Sequence, residues 1–129
     1  MIRQSRGQAL IILIFAIALA ITILSGVTLA AITLGKNTRL SEDAQTAYFA
    51  AEGGAEYALL KLIRNPAGCA NPSDNLTLDT TTVTISYSLV GSTCTVLAIS
   101  NKGTVQKKVQ LQATINASRV DYCCWQELP

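Results

Sequence analysis

Residues Gly7 to Gly35, GQALIILIFAIALAITILSGVTLAAITLG, decide the fold, because no side chain in the stretch carries a charge. The run is about 29 residues long, against roughly 20 needed to cross the hydrocarbon core of a bilayer. As a helix rising 1.5 Å per residue it spans about 40 Å, enough to cross with some tilt. A single segment in lipid must pair every backbone N–H and C=O internally, which leaves the helix as its only regular form. That requirement overrides the strand preference of its many isoleucines. Thr22, Ser25, Thr28 and Thr33 can each return a hydroxyl to a backbone carbonyl one turn earlier. Gly26 is the expected weak point of the helix.

The flanks set the expected orientation. Arg3 and Arg6 precede the run and argue for a short N-terminus on the cytoplasmic side. Lys36 and Arg39 follow it and argue the other way, partly offset by Glu42 and Asp43. The expectation is a single span with the N-terminus inside. A cleaved secretory signal is the alternative, with Ala18-Leu19-Ala20 as its small-residue site. Against it, the apolar pattern runs well past Ala20 without a break.

Beyond Gly35 the pattern becomes amphipathic. Leu40, Ala44, Ala47, Tyr48, Ala51, Ala55, Ala58, Leu59, Leu62 and Ile63 recur at spacings of three and four, one stripe of a 3.6-residue period. Glu42, Asp43, Gln45, Glu52, Glu56, Lys61 and Arg64 fall largely off the stripe. The helix is therefore expected from about Gln8 to Arg64, ending before Pro66, with Asn65 biased away from helical geometry. Gly53 and Gly54 each cost about 1 kcal/mol relative to Ala at mid-helix, so close packing against another surface is expected there.

The remainder alternates with period two. Ala67 to Asn75 reads as a connecting loop rich in Gly, Pro, Asn and Ser. Val83, Ile85, Tyr87 and Leu89 share one face of a strand, and a turn at Val90-Gly91-Ser92-Thr93 leads to a second strand from Cys94 to Ile99. Asn101-Lys102-Gly103 turns the chain into a third, where Val105, Val109, Leu111, Ala113 and Ile115 face one side. Lys107 breaks that alternation, which places it near a sheet end. Asn116-Ala117 turns into a fourth strand from Val120 to Trp125. These features predict an α+β fold, a four-stranded antiparallel meander whose apolar face is covered by the outer half of the helix. The expected segments are a leader over 1–7, a membrane-spanning half over 8–35, an amphipathic half over 36–65, and an extracytoplasmic sheet region over 66–129.

Composition narrows the function classes. The 129 residues are 50% hydrophobic but only 5% aromatic, the net charge is +2, and there is no His. The chain thus lacks the commonest general base and metal ligand. No nucleophile elbow or phosphate-binding glycine loop is present, which argues against an enzyme. Glu52 and Glu56, one turn apart, read as a solvated helix face. Lys102, Lys107 and Lys108, with Tyr122 and Trp125 near in sequence, are the only hint of nucleic-acid contact; a solvated strand edge explains the lysines as well. Cys69, Cys94, Cys123 and Cys124 match no zinc spacing, and an even count beyond a membrane segment points to disulfides. Four cysteines allow three pairings, of which Cys69 with Cys94 is preferred. Cys123 and Cys124, as neighbours on a strand, should point to opposite faces. The triplets at Asn75 and Asn116 fit a glycosylation sequon but are too common by chance to carry weight.

Arg3-Gln4-Ser5-Arg6-Gly7-Gln8-Ala9-Leu10 resembles the processing site of type IV pilin-like proteins, a short basic leader ending in Gly before an apolar helix. Ala50-Ala51-Glu52-Gly53-Gly54-Ala55-Glu56 is similar to a stretch on the outer helix half of PilX-like minor pilins. The resemblance covers roughly the first 65 residues. It implies cleavage by a prepilin peptidase between Gly7 and Gln8 and methylation of the new amino terminus at Gln8. It also implies transfer of the subunit from the cytoplasmic membrane into a cell-surface or periplasmic filament, through contacts with other pilin or pseudopilin helices and with no cofactor. Most such proteins carry Glu where this chain has Ile12. That departure is shared by the tip pseudopilin of type II secretion, and it implies a minor subunit that primes or caps. A plain single-span anchored domain that never assembles is the competing expectation.

Overall fold

A computed structural model describes residues 5–70, 73–116 and 119–129, with side chains at the N-terminus from Gly7 onward. The fold is α+β. Among the described residues one helix, α1 (Ser5–Arg64), precedes a 3₁₀ turn (Pro66–Ala70) and five strands: β1 (Ser73–Leu78), β2 (Thr81–Val90), β3 (Thr93–Lys102), β4 (Val105–Asn116) and β5 (Arg119–Leu128). The chain divides into a first unit ending at Arg39 and a second running from Leu40 to Pro129.

The first unit is helical from Ser5, three residues before the expected start at Gln8. The hydroxyls behave as expected in an apolar helix. Thr22 donates to the Leu19 carbonyl at 2.8 Å, Ser25 to Ile21 at 2.9 Å, Thr28 to Leu24 at 2.6 Å and Thr33 to Leu29 at 2.9 Å. The helix continues through Gly26. At its far end the Asn65 N–H donates to the Lys61 carbonyl at 2.9 Å, and Pro66, lacking an N–H, stops the pattern.

In the second unit the five strands lie in the order β1-β2-β3-β4-β5, every pair antiparallel. The expectation of four strands is corrected to five. β1 occupies Ser73–Leu78, whose N-terminal residues read as loop. Its alternation was weak because only Leu76 and Leu78 are apolar on the helix-facing side, and the third such position is Asp74. The first three turns between strands carry left-handed residues: Asp79 (φ 52°), Gly91 (φ 60°) and Gly103 (φ 57°). Gly91 and Gly103 take that region without the clash a Cβ brings.

The core lies between the sheet and the outer half of α1. Ala51, Ala55, Ala58 and Leu62 are fully buried in one cluster with Val83, Ile85, Val96, Ala98, Val109 and Leu111, and Ala47 and Ala113 are fully buried as well. Ala44, Tyr48 and Leu59 are half-buried at its margins. Leu40, expected on the packing stripe, is instead 47% exposed, as is Ile63 at 51%. For Leu40 the reason is the end of the sheet: the β3–β4 turn at Gly103 lies against Asp43, one helical turn later, so no strand runs beneath Leu40. Ile63 sits beside Leu62, which takes the inward position. Ala50 and Gly54 are buried although the stripe did not include them.

Gly54 shows why the helix carries adjacent glycines. A Cβ there would lie 2.6 Å from Val83 Cγ1, closer than packed carbons approach, so the strand needs the missing side chain. At Gly53 the nearest atom is Leu78 Cδ1 at 3.4 Å, an ordinary contact.

Cys69 and Cys94 form the expected disulfide, with Cα atoms 6.1 Å apart, joining the 3₁₀ turn to the start of β3. Cys123 and Cys124 are also bonded to each other. The expectation that they point to opposite faces fails because Cys124 leaves strand geometry (φ 60°) at a bulge in the pairing of β4 with β5.

Candidate functional site

Two surfaces carry what the chain can do: the apolar half of α1 and the seam of the helix–sheet unit. Along the first, every large hydrophobic side chain from Leu10 to Leu34 is at least 50% exposed. Such a continuous apolar surface is far larger than the patches water-facing proteins show. The segment is long and apolar enough to cross a membrane. With the hydroxyls turned back onto carbonyls and the backbone paired within the helix, the stretch from Leu10 to Leu34 presents an apolar surface to such surroundings.

Gly7 and Gln8 are exposed near the start of this helix, and Ile12 is 63% exposed one turn further on. Arg3 lies outside the described residues, as does the Arg6 side chain, so the expected orientation rests on sequence. The Ile12 side chain costs nothing in lipid, where an ionised carboxylate at the same position would be expensive.

At the seam, Lys61 of α1 reaches Asp74 of β1 at 2.5 Å. Neither residue stood out in sequence as half of a pair. The one available signal was the alternation of Asp74 with Leu76 and Leu78, which puts Asp74 on the helix-facing side. The hydrogen bond from Lys61 holds the Asp74 carboxyl below its ordinary range, aided by the charge of Lys61 and by the Asn75 N–H, while burial opposes. The same bond raises Lys61. Tyr87, half-buried nearby, is raised chiefly by burial, and its hydroxyl has no partner among the described residues. An open groove of about 420 Å³ beside this pair is lined by Tyr57, Leu60, Lys61, Arg64, Asn65 and Gly68.

The other flank of the seam holds a groove of about 400 Å³ lined by Ser41, Ala44, Gln45, Tyr48, Phe49, Lys107 and Glu127. Lys107, which broke the strand alternation, is on the helix-facing side near the sheet end and donates to Glu127 at 2.6 Å. Lys102 donates to the Thr80 hydroxyl. Lys108 alternates with Lys107 and so lies on the opposite face. The three lysines that hinted at nucleic acid thus do not form one patch, and Tyr122 is on the face opposite to Lys108.

Glu52 is half-buried and Glu56 exposed. Among the described residues no group of three or more Cys, Asp or Glu side chains is placed to hold a metal ion. Comparison of the chain with protein-family models, with curated proteins and with solved structures finds no match.

Proposed function

We propose that this chain is a structural subunit of a type IV pilin-like filament, a minor pilin or pseudopilin that primes or caps assembly after its leader is removed. The observation that supports this most is the coupling of two requirements in one helix. α1 (Ser5–Arg64) carries an uncharged, exposed apolar stretch from Gly7 to Gly35 and ends as the buried support of a sheet. A subunit that resides in the cytoplasmic membrane with its N-terminus inside and then joins a filament needs such a helix. Its apolar half can exchange lipid for neighbouring helices, since both surroundings are equally apolar. The Gly7-Gln8 junction supports cleavage by a prepilin peptidase, with methylation at Gln8. Ile12 supports a priming or capping role, since a subunit without the carboxylate has no charge to offer a neighbour's amino terminus.

Mass spectrometry of the membrane-extracted protein from its native host tests the reading. A chain beginning at methylated Gln8 is expected; a chain retaining Met1 overturns it in favour of a single-span anchored domain. Loss of about 20 residues would instead assign the segment to a secretory signal.

A further inference from the structure

The last strand holds a second disulfide that neither the fold nor the proposed filament role requires. Cys69 and Cys94 are 2% and 0% exposed and sit in the core, whereas Cys123 and Cys124 are both exposed on β5, one of the two edge strands of the sheet. Thiol–disulfide exchange requires a nucleophilic sulfur to reach the bond, so access separates the two pairs. A bond between sequence neighbours also conflicts with strand geometry, in which successive side chains point to opposite faces. The chain resolves the conflict at Cys124, which takes φ 60°, a left-handed conformation that residues with a Cβ adopt rarely. The pairing records the consequence. Gln112 lies opposite Cys123 and Gln110 opposite Gln126, so Cys124 and Trp125 together face Leu111 as a bulge.

The bulge decides what the end of β5 touches. With the extra residue present, Glu127 lies opposite Val109 on the helix-facing side, where it accepts from Lys107 at 2.6 Å. Without it, continuing the pairing from Gln112 with Cys123 would put Cys124 opposite Leu111, Trp125 opposite Gln110 and Glu127 opposite Lys108. A shift of one residue turns each of these side chains to the other face. Glu127 therefore has a lysine available in either register, Lys107 inward or Lys108 outward.

We propose that Cys123–Cys124 is a thiol-exchange site whose opening lets the end of β5 move from its bulged register into a regular one. A thiolate attacks one sulfur of the pair, the S–S bond breaks, and the other cysteine leaves as a thiolate and takes up a proton. When the attacking group is a dithiol, its second sulfur attacks the mixed disulfide. Two electrons and two protons then pass to Cys123 and Cys124, and the dithiol ends as a disulfide. Cys124, freed from its neighbour, returns to the β region.

The test uses the full chain in detergent micelles, treated with increasing dithiothreitol in one arm and a thioredoxin-type protein dithiol in the other. Free thiols are alkylated and mapped by mass spectrometry, and a zero-length carbodiimide cross-link locates the lysine paired with Glu127. In both arms Cys123 and Cys124 should be alkylated at reductant concentrations at least tenfold below those that open Cys69–Cys94. The Glu127 cross-link should move from Lys107 to Lys108 as they open. Opening by dithiothreitol alone would still support the site, with small thiols as its reactants. The double variant Cys123→Ser/Cys124→Ser should cross-link to Lys108 without any reductant. Alkylation of Cys123 and Cys124 before reduction, opening of both disulfides together, or a cross-link that stays at Lys107 in the reduced chain or the double variant would overturn the proposal.

Discussion

Gly53 and Gly54 are identical in sequence terms, adjacent on the same helix, yet the packing separates them. At Gly54 an added methyl would meet Val83, a fully buried β-branched residue with little freedom to turn aside. At Gly53 it would meet the end of Leu78, a flexible side chain that is 36% exposed. Removing a mid-helix glycine is worth about 1 kcal/mol in either case. Overpacking a core costs about 1–3 kcal/mol and comes on top only at Gly54. Gly53→Ala should therefore raise stability by about 0.5–1 kcal/mol, and Gly54→Ala should lower it by up to about 2 kcal/mol. Urea unfolding of the two variants measures both, and the same sign for the two would show that the close approach at Val83 is not limiting. The glycine pair itself was legible in sequence as a demand for close packing; which of the two met the strand was not.

The stripe that covers the sheet was legible because helical periodicity reports one face of one element. Ala47, Ala51, Ala55, Ala58 and Leu62 all lie on it and all are buried. Its ends were less legible: Leu40 has the right phase but lies beyond the last strand, and phase carries no information about where a neighbouring element stops. β1 was missed for a related reason. An edge strand with Asp74 on its inner side shows weak apolar alternation, and Asp74 makes sense there only once Lys61 has been brought opposite by the fold.

That ion pair ties helix to edge strand and should show in the pH dependence of stability. Asp74 is held below its ordinary value of 3.8, so its contribution is complete above that pH and is lost as pH falls through the lowered value. Lys61 is raised above 10.5, so its contribution is complete below that pH and is lost as pH rises through the raised value. Between these limits the pair stabilises, by a small amount because both side chains are partly exposed, at 41% and 27%. Asp74→Asn should lower the thermal midpoint slightly and by a constant amount from about pH 5 to pH 9, with the difference from the unsubstituted protein closing toward pH 2. A difference that persists undiminished at pH 2 would mean that Asp74 acts through packing and not through its charge.

At the scale of the molecule, the two units answer to different solvents. The first has an exposed apolar surface over its whole membrane-compatible length, and the second encloses its own core and a buried disulfide. A fragment from Leu40 to Pro129 should accordingly be water-soluble and unfold cooperatively with Cys69–Cys94 intact, while the full chain should require detergent. Analytical ultracentrifugation and circular dichroism decide this. Aggregation of the fragment, or a melt without a transition, would show that the outer helix half does not suffice to cover the sheet.

What the sequence alone determined is everything that periodicity and charge can report along one chain. It established the uncharged helix, the amphipathic continuation to Arg64, the alternating strands with their glycine turns, and the α+β architecture these compel. These signals are local, because each is written in spacings of two, three or four residues. Tertiary structure alone decided which residues meet across elements. It set Gly54 against Val83, Lys61 against Asp74 and Lys107 against Glu127, and it joined Cys123 to Cys124 through a left-handed residue no strand pattern foretells. Such meetings depend on register and on where neighbouring elements end, and both are properties of the packed sheet rather than of any one stretch of chain.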